Sequence, residues 1–432
     1  MAEASDTEQD LNPIRNAERV TAAEMIDVAG LSPEVAVSKI IGEATRLKAS
    51  DLFFFANEDF YSIQIKHLGM VRPLSIVSRD TGRQFTQHIK AQAEMDVAER
   101  RKPQDGRWIY RSDVVPEDED GQEIVDLRIN TIPTLYGEDF ALRLLSRKTG
   151  LLGLEELGMS KPQLSSFRQM VSSPSGLILI TGPTGSGKTA TLYAAMRHLN
   201  DGSRKINTIE DPIEFAVEGV RQSQVDYTRG LTFNGFLRSV LRQSPDVIIV
   251  GEIRDADTAN TAVIAANSGH LVLATLHAPV AAAAIQSVRS LGVNHHYLAT
   301  SLRGVVSQRL LRTLDPENRI EFDIANTTDT FEEIKDLIEP GDAQTLYAPK
   351  PAASNNYTGY VGQTGVFEVM DISRSVRTLI SNGAPTAEIR ERAVEEGMLE
   401  FRQSALIKVA KGDTSIEEVF RVIPSEHLLI DE

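Results

Sequence analysis

One eight-residue loop limits the possible folds of this chain more than any other segment does. Its residues satisfy the phosphate-binding pattern G-x-x-x-x-G-K-[ST], and they are Gly182, Pro183, Thr184, Gly185, Ser186, Gly187, Lys188 and Thr189. A strand-like run, 176–181, precedes the loop, and a helix-like run, 189–199, follows it. This context separates the pattern from a glycine turn without a ligand. The segment therefore predicts a nucleotide-binding strand–loop–helix unit, a P-loop.

The residue types of this loop suit a triphosphate. Glycines let backbone N–H groups turn inward around phosphate oxygens, and the helix that follows adds the positive end of its dipole. Lys188 is expected to reach the β and γ phosphates, and the Thr189 hydroxyl is expected to hold Mg²⁺. The predicted ligands are therefore ATP and Mg²⁺.

Short apolar runs around the loop indicate the class of fold. The runs GLILIT, KINTI, VIIV and LVLAT are rich in β-branched residues and alternate with helical patterns. Such runs are typical of a parallel sheet that helices cover on both faces. The fold class is therefore α/β, and after Val369 the pattern becomes helical to the end.

The chain of 432 residues is long enough for two folded domains plus tails. We expect a mobile N-terminal tail at 1–32, an α+β domain with an antiparallel sheet at 33–145 and a linker at 146–163. The ATPase domain with its helical C-terminal part is expected at 164–432.

Composition makes several other classes of protein less consistent with this chain. Cysteine is absent, so the chain has no disulfide and no thiolate for zinc, which fits a reducing compartment. The start has no secretory signal, and no run approaches the roughly 18 apolar residues of a membrane span. A net charge of −16 disfavours direct nucleic-acid binding. We expect a cytoplasmic protein without a transmembrane segment.

A carboxylate at the end of the run 247–250 is the candidate catalytic group. Glu252 follows this apolar strand, where ligands of open α/β sheets bind. A carboxylate there can orient or deprotonate the attacking water. In a chain without a P-loop, an acid in this place would more often be an exposed turn residue.

Two further strand ends carry polar residues. Glu210 and Asp211 follow the run 205–209 and are candidates to support Mg²⁺ and its water; the alternative is a solvated acidic turn. His277 follows the run 271–275. It is either a hydrogen-bonded structural residue or a sensor of the γ-phosphate.

These four segments, in this order, resemble the secretion ATPase superfamily, which powers type II secretion, type IV pili and type IV secretion. The family calls them Walker A, Asp box, Walker B and His box, and here they read GPTGSGKT, TIEDPIE, LRQSPDVIIVGEIRD and SGHLVLATLHA. The stretch 154–277 is most similar to the pilus assembly and type II secretion branch. Retraction motors are less similar.

The resemblance begins near Leu47 and implies more than the motifs do. It implies a PAS-like first domain, a RecA-like ATPase domain and a homo-hexameric ring on an inner-membrane platform protein. It also implies that Arg128 and Arg143 reach the γ-phosphate, where guanidinium groups neutralise charge. Without the resemblance, two arginines among strands would most often be solvated or salt-bridged.

One departure from the family concerns zinc. Many members carry a four-cysteine zinc site between the counterparts of Arg312 and Gly359, and this chain has no cysteine there. No zinc is expected.

The combined prediction is a Mg²⁺-dependent ATPase that drives pilus assembly or type II-like secretion and reaches the inner membrane through partners. Glu252 is its acid/base, and Glu210 and Asp211 support the metal-bound water. The nearest alternative is the ATPase of a conjugative or effector-delivering type IV secretion system. Alternatives of other classes are a nucleotide-gated scaffold without useful turnover and a soluble P-loop kinase.

Overall fold

The computed structural model describes residues 25–111, 124–146, 152–323 and 331–428. The chain divides into two compact units, one within 1–150 and one within 151–432. The predicted mobile tail, 1–32, lies outside the described residues up to position 24, and for its last part the prediction is wrong: Val28 is buried in the core of the first unit, and Ile26 N donates to Leu74 O at 2.9 Å.

The first unit is an antiparallel sheet with helices on one face. Its helices are Pro33–Arg46 (α1) and Arg79–Gln92 (α2). Its strands are Asp51–Ala56 (β1), Phe60–His67 (β2), Met70–Ser78 (β3), Gln104–Arg111 (β4), Ile124–Pro133 (β5) and Glu138–Ser146 (β6). The strand order is β3-β2-β1-β6-β5-β4, and every neighbouring pair is antiparallel.

Alternation along β1 separates the two faces of this sheet. Leu52 and Phe54 are fully buried in one core with residues of α1 and α2. Phe53 and Phe55 lie on the other face, where their rings stack with centroids 5.3 Å apart. We call this second face the open face of the first unit.

Local signals explain where the two helices begin. Ser32 caps α1 by accepting a hydrogen bond from Val35 N, and Pro33 occupies the first turn. The Ser78 hydroxyl accepts from Thr81 N at 3.2 Å and caps α2 in the same way. Both helices therefore start next to a residue that satisfies a free backbone N–H.

The predicted linker at 146–163 is too long at its C-terminal side. Leu154 and Leu157 form a short 3-10 helix and are buried in a core of the second unit. Burial of these two leucines stabilises the segment against the second unit, so residues 154–163 belong to that unit.

The second unit is an α/β layer structure with a parallel sheet, as predicted. Its strands are Gly176–Thr181 (β7), Ile206–Glu210 (β8), Arg221–Gln224 (β9), Val247–Val250 (β10), Leu271–Leu276 (β11), Leu302–Leu314 (β12), Arg319–Asp323 (β13), Pro340–Ala343 (β14), Thr345–Pro349 (β15) and Tyr360–Asp371 (β16). Its helices are Lys161–Val171 (α3), Lys188–Leu199 (α4), Phe233–Val240 (α5), Ala256–Asn267 (α6), Ala281–Ser290 (α7), His295–Ser301 (α8), Arg374–Ser381 (α9), Thr386–Glu395 (α10), Phe401–Ala410 (α11), Ile416–Val422 (α12) and Ser425–Leu428 (α13).

The main sheet has the order β16-β12-β7-β11-β10-β8-β9. Its pairs are parallel except β12 with β16, which is antiparallel. Every residue of β7, β10 and β11 is buried, because helices cover both faces. The loops after β7, β8, β10 and β11 therefore meet at one edge, the carboxyl edge, where such sheets bind ligands.

The segments after β12 and after β16 form a smaller core beside the main sheet. β13 pairs with β15 in a two-stranded antiparallel sheet, and α11 and α12 pack against β16 and β12 respectively. Among the helices of the described ranges, none is long and apolar enough to span a bilayer.

Candidate functional site

The P-loop needs glycine at three positions. Gly182, Gly185 and Gly187 have φ values of 143°, 76° and 88°, a region that side chains disfavour. At Gly182 a Cβ atom would also lie 2.4 Å from the backbone oxygen of Gln308. The loop between β7 and α4 can therefore adopt its shape only with these glycines.

Gln308 supports the loop from the neighbouring strand β12. Its side-chain nitrogen Nε2 donates to the backbone oxygen of Ser186 at 2.8 Å, and the residue is buried. The sequence did not identify Gln308, because its contact with the loop spans more than a hundred positions of the chain. Gln308 therefore helps to fix the curvature of the loop.

The polar groups of the loop fit a phosphate chain. The hydroxyls of Ser186 and Thr181 are buried and have no hydrogen-bond partner within the described structure. The Lys188 ammonium donates to the backbone oxygens of Gly182 and Pro183, both at 2.9 Å. A buried hydroxyl without a partner is costly, so these groups are poised for a ligand that supplies the missing bonds.

Lys188 is half-buried at the start of α4. Burial lowers the pKa of Lys188 below its usual range, and the negative charge of Glu252 opposes that shift. Lys188 and Glu252 thus interact electrostatically across the carboxyl edge.

Glu252 is placed at this edge by backbone bonds on both sides of it. The Gly251 N–H donates to the oxygen of Ile209 at 2.8 Å, and the Ile253 N–H donates to the oxygen of Thr275 at 2.8 Å. The turn after β10 is therefore tied to β8 and to β11. The strand before Glu252 is confirmed, and the predicted catalytic role of Glu252 stays a prediction.

Both oxygens of Glu252 have partners. Oε1 lies 3.1 Å from His277 Nε2, and Oε2 accepts from Arg254 Nε at 2.7 Å. Arg254 also donates through Nη1 to Asp211 Oδ2 at 3.2 Å. Its bond to Glu252 is the main reason that the pKa of Arg254 is raised. The structure thus brings Asp211, Glu252, Arg254 and His277 into one charged cluster.

Sequence reasoning missed Arg254. Its position in the sequence, two residues after Glu252 in the same turn, was the feature that could have identified it. No sequence pattern predicts that its side chain contacts both Asp211 and Glu252 and so joins the loops after β8 and β10. Arg254 is exposed, so it can exchange its carboxylate partners when a ligand enters.

Glu210 lies apart from this cluster. It is buried, and its Oε1 accepts from Thr208 Oγ1 at 2.5 Å and from Gln222 Nε2 at 3.0 Å. Its Oε2 accepts from the hydroxyl of Tyr193 on α4. Burial, followed by this bond, raises the pKa of Tyr193. Glu210 therefore joins β8 to α4, and its predicted part in the metal-water shell stays a prediction.

Arg128 and Arg143 lie side by side on the open face of the first unit. They are direct cross-strand partners of β5 and β6, and Arg107 of β4 extends the row. Arg143 Nε lies 3.2 Å from Asp51, and Arg107 makes a two-bond contact with Asp126. The proximity of these arginines to one another follows from the register. Their contact with the γ-phosphate stays a prediction.

The predicted Mg²⁺ residues are Thr189 and Asp211. Thr189 lies in the first turn of α4, which follows β7 and the P-loop, and Asp211 directly follows β8, so both lie at the carboxyl edge of the main sheet. Within the ranges that the structure covers, no group of three or more His, Asp or Glu side chains is arranged to hold a metal by itself. Magnesium in phosphoryl-transfer sites usually takes only one or two protein oxygens and shares the phosphate oxygens. The donor set therefore suits a metal that arrives with ATP.

A family model described as "Type II/IV secretion system protein" matches residues 29–421. The type II secretion system protein E of Dickeya dadantii (strain 3937) is 40% identical over 390 residues, which cover 90% of this chain and 75% of the relative. The type II secretion system ATPase E of Vibrio cholerae is 38% identical over 386 residues, 89% of this chain and 74% of the relative.

A solved structure has a similar fold. The Legionella pneumophila ATPase DotB superimposes with a TM-score of 0.66 at 19% identity, covering 91% of this chain and 96% of DotB. At this identity the likeness concerns the fold alone.

Proposed function

Because the chain belongs to the type II/IV secretion system protein family, we propose that it is the ATP-hydrolysing ring motor of type II-like protein secretion or type IV pilus assembly. One observation carries this proposal. The P-loop and Glu252 meet at the carboxyl edge of one parallel sheet, in a chain 40% identical to a type II secretion protein over 90% of its length. Hydrolysis of ATP to ADP and phosphate is its reaction.

The residues of the P-loop bind and orient the triphosphate. Backbone N–H groups freed by the left-handed glycines and the N-terminus of α4 face the phosphates. Lys188 exchanges its bonds to Gly182 and Pro183 for phosphate oxygens. Thr189 and Asp211 hold Mg²⁺, which when bound neutralises charge on the phosphates.

Glu252 acts on the attacking water, and Arg254 and His277 position the Glu252 carboxylate. In the structure these two residues satisfy both oxygens of the carboxylate. Each of these contacts uses only part of an oxygen's acceptor capacity, so the carboxylate still presents lone pairs that can accept a proton from water. Arg254 also contacts Asp211, so it holds the Glu252 carboxylate in place relative to the loop after β8.

The first unit supplies charge to the same reaction. We place Arg128 and Arg143 at the γ-phosphate, as the family resemblance implies. Their shared position on the open face supports this role, since both can approach one anion. These arginines then distinguish ATP from ADP, because only ATP offers the γ-phosphate.

Membership of this family also supports a proposal for the architecture and the location of the protein. We propose a PAS-like first unit, a RecA-like second unit with a helical C-terminal part, and a homo-hexamer. We place the ring in the cytoplasm at the inner membrane, bound through a platform protein of the secretion or pilus machine. The antiparallel sheet with helices on one face supports the first assignment.

A replacement in the producing cells tests the motor function. Cells that carry Glu252→Gln in place of the parent chain should lose secretion or pilus extension at unchanged protein abundance. Glu391→Gln, a change of the same kind at an exposed helical position of the second unit, is the matched control. Normal secretion and normal pili with Glu252→Gln would refute the proposal.

A further inference from the structure

A pocket of about 480 Å³ opens in the first unit, away from the row of Arg107, Arg128 and Arg143. Its walls are the helix α2, the segment 97–101 and the turn 133–138 between β5 and β6. The α2 helix covers the face of the sheet opposite to the open face. The pocket and the arginine row therefore cannot be one site of this unit.

Polar contacts of Lys90 and Arg79 hold the walls of the pocket together. The Lys90 ammonium is buried and donates to Glu99 O at 2.6 Å and to Glu138 Oε1 at 2.5 Å. Arg79 Nη2 donates to the backbone oxygen of Tyr136 at 2.8 Å. Lys90 thus joins segment 97–101 to the turn, and Arg79 joins the turn to α2. The pocket is formed before any ligand arrives.

The lining has a charge opposite to that of the whole chain. Its cationic residues are Arg79, Arg83, Lys90, Arg100 and Arg101. Its single carboxylate belongs to Glu138, which Lys90 neutralises. The chain as a whole has a net charge of −16. This concentration of positive charge in one concave site favours an anion.

Three of these arginines are available for a ligand. Arg83, Arg100 and Arg101 are exposed at the mouth. Within the part of the chain that the structure describes, Arg83 Nη1 lies 3.8 Å from Asp80 and Arg101 Nε lies 3.6 Å from Glu99. Exposed ion pairs of this length contribute little, so a phosphate can displace them.

Apolar groups at the mouth limit the size and kind of the anion. Val97, Leu135 and Tyr136 line the pocket and are exposed, with Leu135 87% exposed. A volume of about 480 Å³ is within the usual range of small-molecule sites. Inorganic phosphate alone would leave these apolar groups in water, whereas a phosphate ester would cover them.

We propose that this pocket is a second anion site, which binds a small soluble phosphate ester. Arg83, Arg100 and Arg101 hold the phosphate groups, and Val97, Leu135 and Tyr136 contact the organic part. The site is independent of the P-loop, because all its residues belong to the first unit.

Calorimetric titration of the full chain with inorganic pyrophosphate tests the charged half of the site. All variants in this titration carry Lys188→Ala, so that the P-loop contributes as little as possible to the measured pyrophosphate binding. Adding Arg83→Glu and Arg100→Glu should weaken pyrophosphate binding at least about tenfold, since each removes charge-assisted hydrogen bonds. Arg111→Glu with Arg374→Glu is the matched control, because it reverses two exposed arginines outside the lining and should leave binding unchanged.

Two results would overturn the proposal. One is pyrophosphate binding of equal strength in the pocket variant and in the control, with circular dichroism showing that both are folded. The other is the absence of pyrophosphate binding together with flotation on phosphatidylglycerol vesicles that is lost in the pocket variant. That result would assign the arginines to a lipid surface.

Discussion

Glu368 is a buried carboxyl group whose ionisation should weaken the second unit. It lies on β16 and is 3% exposed. Oε2 accepts from Ala281 N at 2.8 Å and Oε1 from Phe401 N at 3.3 Å, so it caps the first turns of α7 and α11. Burial raises the pKa of Glu368 to about 7, and the two N–H bonds only partly oppose this.

The sign and size of the effect follow from linkage. The unfolded chain loses this proton near the ordinary pKa of 4.5, and the folded chain loses it near 7. Stability from the protonated group is therefore fully present below 4.5 and is lost as the pH rises through about 7. At about 1.4 kcal/mol per pH unit, the loss is about 3 kcal/mol.

Glu368→Gln removes the titration and keeps most of the shape. At low pH the variant should be about 1–3 kcal/mol less stable than the parent, because an amide N–H₂ replaces one acceptor. As the pH rises from about 5 to about 8 this deficit should shrink, since only the parent has to ionise.

Urea unfolding followed by far-UV circular dichroism measures the difference at each pH. Fluorescence of the single tryptophan, Trp108, reports the first unit and separates its unfolding from that of the second. Glu391→Gln is the control and should follow the parent at every pH. If the difference in unfolding free energy between the parent and Glu368→Gln stays constant from about pH 5 to about pH 8, the reasoning is refuted.

Three further predictions concern Glu252, the two arginines of the first unit, and zinc. Glu252→Gln should bind ATP normally and lose roughly a hundredfold or more in turnover, as general acid/base groups do; loss of ATP binding in a nucleotide titration would instead make Glu252 structural. Arg143→Ala and Arg128→Ala should each lower kcat far more than ADP affinity, and Arg143→Lys should rescue poorly, because a point charge does not reproduce a planar fork. Equal turnover in parent and both alanine variants would leave the first unit as a docking module only. Elemental analysis of chelator-free protein should find no stoichiometric zinc, since the chain has no thiolate; one tightly held zinc per chain would contradict this.

The features that sequence predicted well are local ones. The P-loop pattern and the buried runs that form β7, β10 and β11 each occupy one short segment, so their periodicity and glycine spacing indicate the parallel sheet directly. The acid at Glu252 was found for the same reason, since a strand end is a local feature.

The features that sequence missed depend on contacts between distant segments. Gln308 reaches the P-loop from β12, and Arg254 reaches Asp211 from another loop. Leu154 and Leu157 were assigned to a linker because their burial partners are remote in sequence. The role predicted for Glu210 and Asp211 together stays a prediction, but the sequence did not indicate that their side chains lie in different surroundings, as consecutive residues at a strand end do. Only Asp211 reaches the charged cluster.

Steady-state phosphate release by the purified full chain tests the central claim, that the P-loop and Glu252 form one ATP-hydrolysing site. With ATP and Mg²⁺ the parent should release phosphate, and release should stop when Mg²⁺ is chelated. Lys188→Ala should abolish turnover while circular dichroism shows an intact fold, because the hydrogen bonds of the lysine side chain join it to the loop itself and we place its charge on the phosphates. Equal rates of phosphate release by Lys188→Ala and the parent would contradict the account.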